Sequence, residues 1–169
     1  GDVNDAGRWL VKQGIADPKQ LGIVGWSYGG YAALQSAVVD QGLFKGVVAI
    51  APVTDLDRLR AQTRRWSNRF LASDFIGGTD IAAEASPARH AQQIKVPVLL
   101  FHGGMDRNVH IDHSKMMASR LQSAGKPNRL ITWDNLDHYL EDSEARITML
   151  RTSDEWLKAA FAGKPVPTQ

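Results

Sequence analysis

One stretch constrains this chain more than any other: residues 21–34, with the sequence LGIVGWSYGGYAAL. An apolar run typical of a β-strand ends in Gly-x-Ser-x-Gly, and a helix-forming run follows at once. This is the context of a nucleophile elbow, a sharp turn that presents a serine hydroxyl above a sheet. We expect Gly25 and Gly29 where a Cβ would collide with the turn, and Ser27 in a strained backbone conformation. The alternative is an ordinary glycine-rich connection between a strand and a helix.

The composition excludes several classes of function. The 169 residues suffice for one domain with a sizeable core, and they include no cysteine, which excludes disulfides, thiolate nucleophiles and cysteine metal sites. A net charge of +2 gives no electrostatic reason to expect nucleic acid or a membrane as a partner. No apolar run approaches the roughly 18 residues of a membrane span. The chain begins without Met inside a predicted helix, so we expect a piece of a longer protein whose compartment stays undetermined.

Strands and helices alternate along the sequence. Apolar runs predict four strands, at residues 21–26, 45–52, 96–104 and 129–133. The main helices are predicted at residues 2–13, 28–40, 111–124 and 143–162. A short helix is predicted to begin at Pro87, with Ser86 as its N-cap. The strands lack the alternation of a half-exposed sheet, so we predict an α/β fold with a doubly wound, mostly parallel sheet flanked by helices.

Residues 53–95 are the least regular part of the chain. Five arginines make this segment locally basic: Arg58, Arg60, Arg64, Arg65 and Arg69. No second basic patch accompanies them, so a solvated helix face or a domain contact explains them better than nucleic acid does.

Three chemically active residues follow three different predicted strands. A serine is a good nucleophile only when a base removes its proton, and a carboxylate orients that base. Catalytic groups of an open α/β sheet gather at the carboxyl ends of its strands. Ser27 follows the first strand, Asp106 the third and His138 the fourth, which is the chain order of the α/β hydrolases. We predict Ser27 as nucleophile, His138 as general base and then acid, and Asp106 as the carboxylate that fixes the tautomer of His138.

Two of these assignments have structural alternatives. His138 can be interpreted as a surface-loop histidine, although no other histidine follows the fourth strand. Asp106 can be interpreted as a turn residue beside two glycines, in which case Asp134 replaces it as the acid.

The other histidines carry weaker signals. We interpret His102 as a strand-end histidine that is hydrogen-bonded to backbone. His110 and His113 lie three positions apart, but no third ligand is near them in the sequence. We therefore expect neither a metal site nor a cofactor.

Together these residues resemble the C-terminal catalytic domain of the prolyl oligopeptidase family of serine peptidases, which includes dipeptidyl and acylaminoacyl peptidases. Four blocks between residues 2 and 160 carry the resemblance: Asp17-Pro18 leading into GWSYGGY at 25–31, SPARH at 86–90, VPVLLFHGGMDRNVH at 96–110, and the loop ending in Asp137-His138. The GWSYGGY motif is much more specific than a general elbow. The resemblance implies that residues 1–169 are the C-terminal part of an α/β-hydrolase peptidase domain.

The resemblance also implies a mechanism, in which short peptides are cleaved through an acyl-enzyme. Ser27 attacks the scissile carbonyl, His138 protonates the leaving amine, and water then releases the acyl group. The backbone N–H of Tyr28 is expected to donate one hydrogen bond in the oxyanion hole.

A substrate pocket follows from the same resemblance. The family positions that bind the residue before the cleaved bond map to Tyr28, Val53, Asn108 and Val109. Plain packing is the alternative for Val53 and Val109. Leu56 stands near the place where dipeptidyl peptidases tend to have an aromatic residue, so we expect a wider or differently shaped pocket.

A complete domain of this family has further strands before the elbow strand, a second oxyanion donor in that region, and an N-terminal propeller that filters substrates. We expect the isolated chain to be weakly active without them, since one oxyanion donor is worth about 10²–10³ in turnover. Residues 21–26 are expected to form an apolar edge strand that promotes self-association. The competing functions are an esterase or lipase on the same fold, or a non-catalytic hydrolase-like domain.

Overall fold

A four-stranded parallel sheet forms the centre of the protein, whose computed structural model describes residues 1–64, 76 and 79–168. The strands are β1 (Ile23–Trp26), β2 (Val47–Ile50), β3 (Val98–Gly103) and β4 (Asn128–Trp133). They lie side by side in sequence order, and every neighbouring pair is parallel. The four predicted strands are confirmed, and their carboxyl ends meet at one edge of the sheet.

Helices cover both faces of this sheet. They are α1 (Asp2–Lys12), α2 (Tyr28–Val39), α3 (Leu56–Thr63), α4 (Thr79–Glu84), α5 (Asp112–Ser123) and α6 (Ser143–Phe161), with a 3₁₀ segment at Pro87–Gln93. On one face, Leu34 of α2 and Leu121 of α5 belong to the core cluster of the sheet. On the other face, Trp156 of α6 belongs to a second cluster. The predicted α/β fold, a parallel sheet flanked by helices, is confirmed.

The central strands are buried along their whole length, which explains their uniform hydrophobicity. Along β3, Val98 and Leu100 pack into one core cluster, whereas Leu99 and Phe101 pack into the other. Because successive side chains point to opposite faces, a strand covered on both faces needs apolar residues at every position.

Ser86 occupies the N-cap position of the 3₁₀ segment, as predicted, but its side chain makes no capping hydrogen bond there. Instead, its hydroxyl donates to the carbonyl of Ala82 and accepts from the backbone N–H of Leu56 at 2.8 Å. Ser86 therefore joins α3 to α4, a contact between segments about which local sequence carries no information.

The strand before Ser27 lies at an edge of the sheet, as predicted for the apolar run at residues 21–26. β1 pairs with β2, and the side chain of Val24 is 55% exposed.

Two arginines of the basic segment, Arg65 and Arg69, lie outside the described residues. Among the helices that are described, none combines the length and the apolar composition that a membrane span requires.

Candidate active site

Ser27 occupies a strained turn between β1 and α2. Its φ of 57° and ψ of −116° lie in a region that residues other than glycine rarely adopt. Its backbone N–H donates to the carbonyl of Ile50 at 2.7 Å, and its own carbonyl accepts from the N–H of Tyr31 at 3.0 Å. A strand and the first turn of a helix thus hold the strained residue, in the arrangement that the elbow motif predicted.

Close backbone approach explains one of the two glycines singled out in the motif. A Cβ on Gly25 would lie 2.0 Å from the carbonyl oxygen of Gly29. The prediction for Gly29 itself is wrong, because a Cβ there would meet no atom within 4 Å. The second crowded position is Gly30, whose Cβ would lie 2.9 Å from the Cβ of Pro52. The turn packs against β1 and the end of β2, and this packing places the crowding at Gly30.

The imidazole of His138 lies between Ser27 and Asp106. Its Nε2 is 3.0 Å from the Oγ of Ser27, and its Nδ1 is 2.6 Å from the Oδ2 of Asp106. Because a carboxylate only accepts hydrogen bonds, Nδ1 carries the proton in the neutral ring and Nε2 can accept one from the serine. Ser27, Asp106 and His138, predicted from the elbow motif and the chain order of the α/β hydrolases, therefore come together at the carboxyl edge of the sheet.

Four hydrogen-bond donors surround the carboxylate of Asp106. Its Oδ1 accepts from the backbone N–H groups of Asn108 and Val109, each at 2.9 Å. Its Oδ2 contacts His138 at 2.6 Å and the Nε2 of His102 at 3.2 Å. Burial alone would raise the pKa of this carboxyl, but the bonds from His102, His138 and Val109 outweigh it and hold the pKa well below its usual range. Asp106 is therefore an anion at neutral pH.

Two glycines at the end of β3 let the loop of His138 approach. A Cβ on Gly103 would lie 2.3 Å from the carbonyl oxygen of Leu136, and one on Gly104 would lie 2.7 Å from that of Asp134. The loop between β4 and α6 thus packs directly on the end of β3. Asp134, the alternative acid, is exposed, and Asp106 is the carboxylate within hydrogen-bond distance of His138.

Two further side chains hold the backbone of this loop. The indole N–H of Trp26 donates to the carbonyl of His138 at 3.1 Å. Arg146 of α6 donates to the carbonyls of Tyr139 and Leu140 at 3.0 and 3.1 Å. Its guanidinium carbon lies 5.7 Å from the centre of the Trp26 ring, within range of a cation–π contact. Sequence reasoning missed both residues, although the position of Trp26 beside Ser27 was a signal.

Three of the four residues expected to bind substrate line two cavities. The first, of about 240 Å³, has a mainly apolar wall that includes Tyr28, Val53, Leu56 and Leu59. The second, of about 550 Å³, is lined by His138, Asn108, Arg107, Tyr139 and Glu141 among others. Tyr28 and Val53 therefore lie in one cavity and Asn108 in the other. Val109 is buried and lines neither of these two cavities, so the packing alternative describes its side chain.

Gln62 connects the wall of the apolar cavity to the loop that follows Asp106. Its side-chain amide donates to the carbonyl of Asn108 at 3.0 Å and accepts from the N–H of His110 at 3.3 Å. Gln62 belongs to α3, the helix that carries Leu56 and Leu59. The two parts of the site are thus joined by one side chain that sequence reasoning did not identify.

The remaining histidines beside the site have structural contacts. His102 is bonded to backbone, as predicted, through its Nε2 and the carbonyl of Val109 at 2.8 Å. His113 is buried, and its Nδ1 accepts from the backbone N–H of Thr54 at 3.1 Å. Burial lowers the pKa of His113 to about 4. Within the part of the chain that is described, no three or more acidic or histidine side chains are grouped as a metal site would need.

Comparison with known proteins gives a consistent set of relatives. The sequence profile described as "Prolyl oligopeptidase family" matches residues 1–164. Dipeptidyl peptidase 4 of Bos taurus is 29% identical over 162 residues, which are 95% of this chain and 21% of the bovine protein. Probable dipeptidyl-aminopeptidase B of Metarhizium robertsii is 33% identical over 154 residues, which are 88% of this chain and 16% of the fungal protein.

A solved structure shows the same fold. A puromycin-hydrolyzing peptidase of Mycobacterium tuberculosis aligns with a TM-score of 0.80 at 28% identity, over 97% of this chain and 24% of that protein. The chain therefore spans between 16% and 24% of the length of these three larger proteins.

Proposed function

This chain belongs to the prolyl oligopeptidase family, and on that premise we propose that it is the catalytic part of a serine peptidase that hydrolyses short peptides through an acyl-enzyme. One observation carries the proposal: His138 is within hydrogen-bond distance of Ser27 on one side, at 3.0 Å, and of Asp106 on the other, at 2.6 Å. A hydroxyl, an imidazole and a carboxylate in this order are what nucleophilic catalysis by serine requires.

The chemistry follows from the protonation states of these groups. As the Oγ of Ser27 attacks the scissile carbonyl, the Nε2 of His138 takes the hydroxyl proton, and the anionic Asp106 stabilises the imidazolium that forms. The same proton then passes to the leaving amine, and the C–N bond breaks to give an ester on Ser27. Water attacks this ester, His138 takes a proton from the water and returns it to Ser27, and the acid product leaves.

The developing oxyanion needs hydrogen-bond donors. Tyr28 begins α2 directly after Ser27, so its backbone N–H lies at a helix N-terminus, where partial positive charge favours an anion. The chain spans 21% of the length of its bovine relative, and we infer that a second donor is supplied by residues outside these 169. Because loss of one donor costs about 10²–10³ in turnover, the isolated 169-residue chain is weakly active.

We expect the two cavities to bind different parts of the substrate. The cavity of about 240 Å³ beside Tyr28 and Val53 takes an apolar side chain on the acyl side of the cleaved bond. Leu56 lies in the same wall, so the pocket is aliphatic on that side. Asn108 binds a substrate carbonyl from the second cavity, while Val109 supports it by packing.

The unpaired side of β1 is a further part of this proposal. Val24 is half exposed there, and a free strand edge readily pairs with another strand. In the isolated chain the partner is a second copy. Sedimentation velocity tests whether two copies pair through β1. The experiment uses protein concentrations on the order of 5 to 200 µM, where weak strand pairing appears. We expect the sedimentation coefficient to increase with concentration, and a constant monomer value would contradict edge pairing.

Turnover of two substrate classes by the full-length protein tests the function itself. We expect peptide p-nitroanilides with an apolar residue before the scissile bond to be hydrolysed, and the activity to be lost in Ser27→Ala. Ser123→Ala, at an exposed position of α5, is the matched control and should leave turnover unchanged. Hydrolysis of p-nitrophenyl esters alone would instead indicate an esterase, and no hydrolysis of either class would indicate a non-catalytic domain.

A further inference from the structure

A second histidine, His102, lies against the same oxygen of Asp106 that His138 contacts. His102 of β3 is fully buried, with 0% of its surface exposed. Its Nε2 lies 2.8 Å from the carbonyl oxygen of Val109 and 3.2 Å from the Oδ2 of Asp106. Its Nδ1 lies 2.7 Å from the Oγ of Ser114 on α5. Both ring nitrogens therefore have partners, although this side chain does not contact the serine nucleophile.

The partners determine the tautomer of His102. A backbone carbonyl can only accept, so the Nε2 that contacts Val109 must carry a proton. The Nδ1 of the neutral ring then accepts a hydrogen bond, and the hydroxyl of Ser114 is the donor beside it. In this tautomer the Nε2–H is donated to the Val109 carbonyl at 2.8 Å, and the same N–H group lies against the Oδ2 of Asp106, with 3.2 Å between nitrogen and oxygen. Two serine–histidine pairs thus converge on one carboxylate, Ser27–His138 and Ser114–His102.

We propose that His102, held in this tautomer by Ser114, is a positioning residue that aims the Oδ2 of Asp106 at His138, an inference that rests on the proposed function. The two backbone donors fix only Oδ1, so Oδ2 depends on side chains for its direction. In the neutral tautomer described above, the Nε2–H of His102 is the second of these side-chain groups. A neutral donor restrains the carboxylate and leaves its negative charge available to the imidazolium of His138.

The surroundings of Asp106 are consistent with this role. The ionisable groups beside the carboxylate are His138 from the loop after β4 and His102 from β3. Next to His102, α5 contributes Ser114 and the buried His113, whose pKa burial lowers to about 4. No cation among the described contacts of Asp106 therefore competes with the imidazolium for its charge at neutral pH.

Substitutions of His102 in the full-length protein separate positioning from packing. His102→Phe keeps a planar ring but has no donor, whereas His102→Gln keeps an N–H close to the position of Nε2. We expect His102→Phe to lower kcat on a peptide anilide about tenfold or more, the scale of a lost hydrogen bond to a charged group, with KM unchanged. We expect His102→Gln to recover most of that loss. The pH of half-maximal activity should also rise in His102→Phe, because a carboxylate with one donor fewer stabilises the protonated base more strongly.

Ser114→Ala provides a second, milder test that does not depend on the tolerance of the core for Phe. It removes the donor that fixes the tautomer, and we expect a severalfold loss of kcat, an unchanged KM and a slightly lower melting temperature, because the buried Nδ1 of His102 loses its partner. Ser123→Ala, exposed on the same helix, is its control. The inference would be overturned if His102→Phe folds and keeps the wild-type kcat and pH profile. If His102→Phe does not fold, the same result for Ser114→Ala would overturn it. A wild-type protein that does not react at Ser27 would instead overturn the proposed function.

Discussion

The indole N–H of Trp26 donates a hydrogen bond to the backbone carbonyl of His138, and the two atoms are 3.1 Å apart. The two residues are separated by 112 positions in the chain, and Trp26 directly precedes Ser27. One side chain therefore ties the strand that carries the proposed nucleophile to the loop that carries the proposed base. This bond fixes the backbone of His138, whereas Asp106 fixes its ring.

Trp26→Phe tests this connection, because it keeps an aromatic ring beneath Arg146 and removes only the N–H. Loss of one neutral hydrogen bond corresponds to about 1 kcal/mol, so we expect the rate of Ser27 modification by a fluorophosphonate to fall roughly fivefold. Trp9→Phe is the control, since Trp9 lies on α1 with 55% of its surface exposed. Equal rates in the two variants would show that the bond does not position the base.

The identity of the acid can be tested with a pair of isosteric changes. Asp106→Asn removes the charge and disfavours the tautomer of His138 that leaves Nε2 free, so we expect kcat to fall about 10⁴-fold. Asp134→Asn, at an exposed position, should leave kcat unchanged. The opposite pattern would make Asp134 the acid and would contradict the assignment of Asp106.

The turn around Ser27 predicts opposite effects for two glycines of one motif. Gly25→Ala would place a Cβ 2.0 Å from the carbonyl oxygen of Gly29, so we expect destabilisation by several kcal/mol, on the order of a severe steric defect. Gly29→Ala meets no atom within 4 Å and lies in the first turn of α2, so we expect unchanged or slightly higher stability, by up to ~1 kcal/mol. Urea unfolding measures both variants, and similar midpoints would contradict the steric crowding at Gly25.

His113 predicts a pH dependence of stability. Burial lowers its pKa to about 4 in the folded protein, whereas the ordinary value is about 6.5. Between these values the unfolded chain binds more protons than the folded one, so stability decreases as the pH falls from about 6.5 to about 4. The full loss is on the order of 3 kcal/mol.

His113→Asn isolates this contribution, because its side-chain oxygen can still accept from the N–H of Thr54 but does not titrate. We expect a shallower decrease of the unfolding free energy over the same pH interval, measured by urea denaturation. An unchanged slope would show that His113 does not cause the acid sensitivity.

Sequence alone predicts the sheet and the meeting point of the site because both follow from burial and strand order. β2 and β3 are buried on both faces, so their apolar runs are unambiguous. Ser27, Asp106 and His138 follow separate strands. A parallel sheet brings the carboxyl ends of its strands together, independently of the length and conformation of the connections between them. Neither step requires knowledge of a long-range side-chain contact.

The parts that sequence did not predict all depend on such contacts. The hydroxyl of Ser86 makes no bond to its own 3₁₀ segment and instead accepts from the N–H of Leu56, 30 positions away at the start of α3. The bonds made by Gln62 and Trp26 span 46 and 112 positions, and no local pattern encodes them. A motif identifies the residues that surround a turn, whereas the partner of each polar group is set by the packing of distant segments.

Modification of the full-length protein by a fluorophosphonate, followed by peptide mass mapping, examines the reactivity of Ser27 directly. We expect one equivalent of label, located on the peptide that contains Ser27, and at least a hundredfold slower labelling in His138→Ala, about the scale of a lost general base. Label on a different residue, or no label in a protein that still cleaves peptide anilides, would contradict the assignment of Ser27 as the nucleophile.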